Sequence, residues 1–280
     1  MSFPRLFVAV DTPEEKAAVE LGTSLASLSG LGIKLGLEFF GALGPSGIRA
    51  VQAAAPSTPI FLDLKFHDIP NTVAGVVKSV VPLQVALMTL HSSGGPAMMK
   101  AAVAAAAEAA EQCGCPRPKL LAVTVLTSLD DNDLAAVGQS TPAESQVVRL
   151  AELAQSCGMD GVVCSAREIE PIRKACGKDF ILVVPGIRPA GAHRPRRTIH
   201  RTRARRCPAL RNYGCEFFPC LLRLVDVATR VVTACAQART TATKSGSSLP
   251  GPPSRPVRVV SSSAVRSAKL LRRKRRRARS

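Results

Sequence analysis

The sequence predicts an α/β protein, a (β/α)8 TIM barrel that lacks its eighth strand. Three observations lead to this prediction. Short apolar runs alternate with longer stretches of helical period through the first 192 residues. The apolar runs show little polar alternation, which is typical of parallel strands buried on both faces. Charged residues lie at or near the ends of several runs, and barrels of this kind carry their chemistry at the carboxyl ends of the strands.

The predicted elements alternate along the chain in βα order. The first strand is Leu6–Val10, and Thr12-Pro13-Glu14-Glu15 starts the first helix, because it offers a capping residue, a proline at the first helical position and early acids. A similar signal at Thr141 starts the helix 142–156. Further strands are predicted at residues 33–37, 60–64, 85–90, 120–126, 161–164 and 180–184, and further helices near 46–54, 72–80, 96–112 and 167–175.

The positive charge is confined to the C-terminal part of the chain. Residues 1–192 hold 15 Lys and Arg against 18 Asp and Glu, whereas residues 193–280 hold 23 against 2. The net charge of +18 therefore gives no indication that the predicted barrel binds nucleic acid.

No eighth strand is recognised after residue 192. Residues 193–280, called the basic segment below, are rich in Arg, Pro and Ser and include the run Arg272-Arg-Lys-Arg-Arg-Arg277. Such a composition cannot bury a core, so we expect this segment to be largely disordered. The predicted organisation is an incomplete barrel over residues 1–192 and a low-complexity segment over residues 193–280.

The cysteines and the N-terminus predict a cytoplasmic protein. The nine cysteines have neither disulfide-framework nor zinc spacing, and Cys113-Gly-Cys115 lacks a second ligand pair. A strand begins at Leu6 without a basic and apolar leader, and no apolar run is long enough to cross a bilayer. We expect no metal.

The most informative stretch is Asp63-Leu-Lys65-Phe-His67-Asp68, which closes an apolar strand. Alternation along the strand places Asp63 and Lys65 on one face, and Asp68 follows in the loop. A lysine between two carboxylates stays protonated and oriented, as a proton donor requires. We assign no role to His67 or His91, because a single histidine at a strand end is more often structural.

The segment from Asp63 to Thr72, Asp-Leu-Lys-Phe-His-Asp-Ile-Pro-Asn-Thr, closely resembles the signature of the orotidine 5′-phosphate decarboxylase family. Family members continue with a glutamine-bearing phosphate loop and a last strand that ends in Gly-Arg, and nothing in residues 193–280 matches these parts. We interpret the abrupt change as a reading-frame shift. Other matching segments, in the family's order, are Leu6-Phe-Val-Ala-Val-Asp11, Ile33-Lys34-Leu-Gly, Val123-Thr-Val-Leu-Thr127-Ser and Val184-Pro-Gly-Ile-Arg188-Pro-Ala-Gly.

The resemblance implies decarboxylation of orotidine 5′-phosphate to UMP, in pyrimidine biosynthesis, without a cofactor. Lys65 would protonate the carbanion left at C6 of the pyrimidine, and Asp63 would hold Lys65 in place. Asp68 and Thr72 would reach the site of a partner subunit, so the resemblance implies a homodimer.

The resemblance also implies four substrate-binding residues near strand ends. Asp11 and Lys34 would bind the ribose hydroxyls and extend the row of alternating charges. Thr127 would hydrogen-bond the pyrimidine, and Arg188 would begin the phosphate-binding region. Because part of that region is absent, the chain is expected to have little activity.

Two alternatives remain open. A sugar-phosphate decarboxylase of the same superfamily shares Asp-x-Lys-x-x-Asp but uses a metal and generally lacks the continuation to Thr72. The basic segment could instead bind polyanions such as nucleic acid, without sequence specificity and with a steep dependence on salt.

Overall fold

The computed structural model describes residues 4–187 and the strand at residues 257–261. Eight parallel strands form a closed barrel in which each strand pairs with the next in sequence and β8 pairs with β1. The strands are β1 Leu6–Val10, β2 Leu31–Gly36, β3 Ile60–Phe66, β4 Leu87–His91, β5 Lys119–Val123, β6 Gly161–Val163, β7 Ile181–Ile187 and β8 Val257–Ser261. The α-helices are α1 Glu15–Ala26, α2 Leu37–Ala54, α3 Pro70–Val80, α4 Gly95–Cys113, α5 Asp131–Ala136, α6 Ala143–Ser156 and α7 Ile169–Cys176.

The apolar side chains form two clusters. The larger one includes Val8 and Val10 together with apolar side chains of the helices, so it lies between the sheet and its helical cover. The smaller one fills the barrel interior, where the rings of Phe7 and Phe61 meet edge to face with centroids 5.5 Å apart. Gly32 makes room for this pair, because a Cβ there would lie 2.3 Å from the Phe7 ring. The interior cluster consists of Phe7, Ala9, Phe61, Leu87, Leu121 and Val183.

The expectation that the barrel lacks its eighth strand is wrong. Val257–Ser261 lies between β7 and β1, and its residues Arg258 and Ser261 pair in parallel with Leu6 and Ala9 of β1. The strand is hard to recognise because it has only five residues and stands in basic surroundings. Its three valines nevertheless have a high strand propensity, and pairing on both sides removes the open edges of the sheet. The rest of the basic segment lies outside the described residues, so its predicted disorder stays a prediction.

Several predicted boundaries shift. An additional helical stretch begins at Leu37, and Gly44, whose φ of +55° is not helical, interrupts it before Pro45, so the predicted helix near residues 46–54 is the second part of α2. The capping signal predicted at Thr141 makes no side-chain bond to α6. Asp130 instead forms a capping box at the start of α5, a short helix that was not predicted.

The described cysteines are all free thiols. Cys164 lies buried directly after β6, and burial together with the nearby Glu168 raises the pKa of its thiol to about 12. This thiol is therefore protonated and unreactive at neutral pH. Across the described residues, no helix combines the length and the apolar composition that a bilayer span requires.

Candidate active site

A row of alternating charges lies at the carboxyl ends of β1, β2 and β3. Nζ of Lys34 lies 3.6 Å from Oδ1 of Asp11 and 3.6 Å from Oδ2 of Asp63. Nζ of Lys65 lies 2.8 Å from the same Oδ2 of Asp63. The predicted meeting of these four residues at one rim is confirmed. Asp63 is the centre of the row, since it holds a lysine on either side.

The Asp63 carboxylate is largely buried and interacts with Lys34, Lys65 and Thr89. Its side chain is 14% exposed, and its Oδ1 accepts a hydrogen bond of 2.9 Å from the hydroxyl of Thr89. Burial alone would raise the pKa of Asp63, but Lys34, Lys65 and the hydrogen bonds from Lys65 and Thr89 together outweigh it and lower the pKa below its ordinary value. Asp63 therefore carries a full negative charge at neutral pH.

Lys65 has a left-handed backbone conformation. Its φ is +53°, and the register between β3 and β4 shifts between Leu62 and Phe66. The Lys65 amide donates a hydrogen bond of 2.9 Å to the Thr89 hydroxyl. Simple strand alternation was expected to bring Asp63 and Lys65 together. They do meet, but through an irregular strand end and a backbone conformation that a lysine rarely adopts.

Asp68 and Thr72 lie at the same rim but outside the row of charges. Asp68 belongs to the loop between β3 and α3, and its Oδ1 accepts a hydrogen bond of 2.6 Å from the amide of Ile69. Thr72 lies in the first turn of α3, and both side chains are exposed. Within the described part of a single chain, neither forms an ion pair or hydrogen bond with Lys65.

Of the two remaining predicted residues, Thr127 lies in the described part of the chain, and no hydrogen bond or ion pair joins it to the row there. Thr127 is exposed in the loop after β5, next to the exposed Leu126. The hydroxyl that is buried near this strand end belongs to Thr124, and it donates to the carbonyl of Val163. Arg188 lies outside the described residues.

Sequence reasoning missed Thr89. This residue is fully buried within β4 and binds both Asp63 and Lys65. The available signal was a hydroxyl side chain in an otherwise apolar strand, because a buried hydroxyl needs a hydrogen-bonding partner. Its partners lie on another strand, however, and the sequence does not identify them.

His67 and His91, which received no role, lie together beside the row. Their rings stack with centroids 5.2 Å apart and an interplanar angle of 29°. Burial, followed by the charges of His67 and Lys65, lowers the pKa of His91, and Asp63 opposes this only in part. In the described ranges, no group of three or more His, Cys, Asp or Glu side chains is placed to hold a metal ion.

The geometry suits proton transfer to a bound molecule. The Lys65 side chain is 28% exposed, so its ammonium can reach a ligand at the barrel mouth while Asp63 fixes its position. A fixed ammonium stabilises negative charge that develops nearby and can then deliver a proton to it.

Comparisons with known proteins agree with this geometry. The family model described as "Orotidine 5'-phosphate decarboxylase / HUMPS family" matches residues 4–197. The chain is 51% identical over 185 residues to the orotidine 5′-phosphate decarboxylase of Paramagnetospirillum magneticum, a match covering 66% of this chain and 77% of that relative. It is 48% identical over 191 residues to the enzyme of the same name from Moorella thermoacetica, covering 68% and 75%.

A solved structure gives the same result. The crystal structure of orotidine 5′-phosphate decarboxylase from Lactobacillus acidophilus matches with a TM-score of 0.60 and 36% sequence identity, covering 68% of this chain and 84% of that chain. Fold, sequence and strand-end charges thus agree, and the chain belongs to the orotidine 5′-phosphate decarboxylase / HUMPS family.

Proposed function

We propose that this protein decarboxylates orotidine 5′-phosphate to UMP, the last step of de novo pyrimidine biosynthesis, in the cytoplasm. The observation that carries the proposal is the Lys65–Asp63 ion pair of 2.8 Å at the mouth of the barrel. The family also includes sugar-phosphate enzymes, but the relatives that are about half identical to this chain are named orotidine 5′-phosphate decarboxylases.

Lys65 is the proposed proton donor. Cleavage of the bond between C6 and the carboxylate releases carbon dioxide and leaves the electron pair on C6. The Lys65 ammonium stabilises that charge and transfers one proton to C6, and the neutral amine then takes a proton from solvent. Asp63 would keep the ammonium aimed at C6, while Lys34 and Asp11 would bind the ribose hydroxyls.

A second copy of the chain is the proposed partner. Asp68 and Thr72 are exposed on the same rim as Lys65 and would complete the site of a neighbouring subunit. Exposed apolar side chains support a contact surface, because Ile69, next to Asp68, is 66% exposed and Leu37, directly after β2, is 61% exposed. Burying both in a twofold interface would remove this apolar area from water.

We expect this chain to bind the phosphate group of the substrate weakly. Strand β8 ends in Val-Val-Ser261, whereas the family pattern ends this strand in Gly-Arg. Without that arginine, the interactions that hold the substrate phosphate are reduced, and remote binding energy is what favours the transition state at the pyrimidine. We therefore expect a high KM and a low kcat/KM.

The test is release of carbon dioxide from carboxyl-labelled orotidine 5′-phosphate by the purified 280-residue protein. Turnover that is lost in Lys65→Ala and kept in the surface control Lys78→Ala would support the proposal. Turnover of a 3-keto sugar acid phosphate with Mg²⁺, and none of orotidine 5′-phosphate, would replace it with the sugar-phosphate activity.

A further inference from the structure

The stacked rings of His67 and His91 connect the loop between β3 and α3 to the end of the neighbouring strand β4. Strand β3 ends at Phe66 and α3 begins at Pro70, so only residues 67–69 connect them. His67 is the first of the three, and its ring lies on that of His91, the last residue of β4. Asp68 is the next residue in the loop.

The 3₁₀ turn after β4 also contacts His67. A Cβ added to Gly94 would lie 3.2 Å from Cδ2 of His67, so the imidazole packs close to the backbone of this turn. The His67 ring therefore stacks on the end of β4 and lies close to the turn that follows it. No hydrogen bond to either imidazole is found among the residues that the structure describes, so stacking is the described contact between the rings.

The charges around His91 favour its neutral form. The titratable groups that face it are His67 and Lys65, which lower the pKa of His91 electrostatically, and Asp63, which raises it. Burial has the largest effect, and together with His67 and Lys65 it lowers the pKa of His91 below its ordinary value. At neutral pH the stack therefore contains an uncharged His91 beside the Lys65–Asp63 pair.

We propose that the His67–His91 stack is a positioning element that holds the 67–69 loop, and with it Asp68, for catalysis, and that its protonation in acid releases the loop. A protonated His91 would repel His67 and compete with Lys65 for Asp63. Both effects disturb the site without either histidine touching substrate. This inference rests on the proposed decarboxylase function.

The first test compares two substitutions of His67 in the 280-residue protein, with orotidine 5′-phosphate as substrate. His67→Phe keeps an aromatic ring for stacking, whereas His67→Ala removes it. We expect kcat/KM at pH 7.5 to fall by about tenfold in His67→Ala and by less than about threefold in His67→Phe. Gln112→Ala, at the exposed end of α4, is the matched control. Equal activity of His67→Ala and wild type, or equal losses in His67→Ala and His67→Phe, would overturn the proposal.

The second test uses the pH profile. In wild type, kcat/KM should decline in acid as His91 is protonated, and in His91→Phe this decline should move to lower pH because the titrating group is gone. A structural role alone would lower activity at every pH and leave the shape of the profile unchanged. An unshifted acid limb in His91→Phe would refute the proposed protonation.

A third measurement is independent of activity and separates this inference from the proposed function. The chain has only four histidines, so their ring protons can be followed in an NMR titration. The His91 pKa should rise in His67→Phe, because the electrostatic effect by which His67 lowers it is removed. If wild type decarboxylates nothing, the proposed function fails while this titration still tests the stack. An unchanged His91 pKa in His67→Phe would contradict the contact between the rings.

Discussion

The hydroxyl of Thr89 donates a hydrogen bond of 2.9 Å to Oδ1 of Asp63, although 26 positions separate the two residues in sequence. The same hydroxyl accepts a hydrogen bond of 2.9 Å from the amide of Lys65. Thr89→Val keeps the shape but leaves both groups without this partner. We expect it to lower the free energy of unfolding by about 1–3 kcal/mol and kcat/KM by about 10- to 100-fold. Urea unfolding and steady-state kinetics measure these changes, and Thr89→Ser, which keeps the hydroxyl, should resemble wild type.

The left-handed conformation of Lys65 predicts a difference between two inactive variants. Lys65→Ala and Lys65→Gly both remove the ammonium and should lower kcat by at least about 100-fold. Glycine adopts a φ of +53° without the strain of a Cβ, so Lys65→Gly should be about 1 kcal/mol more stable than Lys65→Ala. Urea unfolding of the two proteins measures the difference. Equal stability would argue against backbone strain at this position, and substantial activity in either variant would argue against Lys65 as proton donor.

The lowered pKa of Asp63 predicts a loss of stability in acid. The unfolded chain takes up the Asp63 proton near the ordinary pKa of 3.8, whereas the folded protein takes it up at lower pH. Between these two values the unfolded state binds more protons, so the free energy of unfolding decreases as the pH falls. The contribution is fully present above pH 3.8 and is lost as the pH falls through the folded-state pKa. Urea unfolding between pH 2 and 5 should show a steeper slope in wild type than in Asp63→Asn, and parallel slopes would contradict the assignment.

The exposed position of Asp68 predicts complementation between two inactive proteins. If Asp68 serves the partner's site, a mixed dimer of Asp68→Asn and Lys65→Ala contains one site with neither substitution. Mixing the two under conditions that exchange subunits should restore activity, up to about a quarter of the wild-type value if subunits exchange at random. Each variant mixed with itself is the control. Continued inactivity of a mixture in which exchange is demonstrated would mean that Asp68 does not act across an interface.

The pairing of β8 with β1 predicts that a proline in this strand weakens the barrel. Val259 pairs with Phe7 in the parallel ladder, and proline at this position cannot donate a backbone hydrogen bond. Losing one backbone hydrogen bond of this ladder costs about 1–3 kcal/mol, so Val259→Pro should lower Tm by about 2–10 °C. Differential scanning calorimetry measures the shift, with the β-branched variant Val259→Thr as control. An unchanged Tm in Val259→Pro would argue against this strand in the barrel.

The sequence was sufficient to predict the features that depend on local pattern. Apolar runs bounded by helical segments predicted seven strands, and charged residues at or near the ends of those runs predicted that Asp11, Lys34, Asp63 and Lys65 would meet. The parallel topology explains this success, since it brings all carboxyl ends of the strands to one rim.

Features that depend on contacts distant in sequence were not predicted. Thr89 gains its role only through the shifted register between β3 and β4, and the unusual φ of Lys65 belongs to the same irregularity. The stacking of His67 and His91 likewise requires the two strand ends to be neighbours. Val257–Ser261 was missed because a five-residue valine-rich run carries little weight against strongly basic surroundings.

The position of β8 in the chain delays the completion of the fold during synthesis. Strand β7 ends at Ile187 and β8 begins at Val257, so 69 residues must be translated between them. At the usual rates of translation this takes roughly 3 to 14 s. Throughout that interval the nascent chain has its first seven strands but presents the unpaired edges of β1 and β7, which are available for pairing with other chains. The yield of native protein should therefore depend on how quickly the ribosome crosses this stretch.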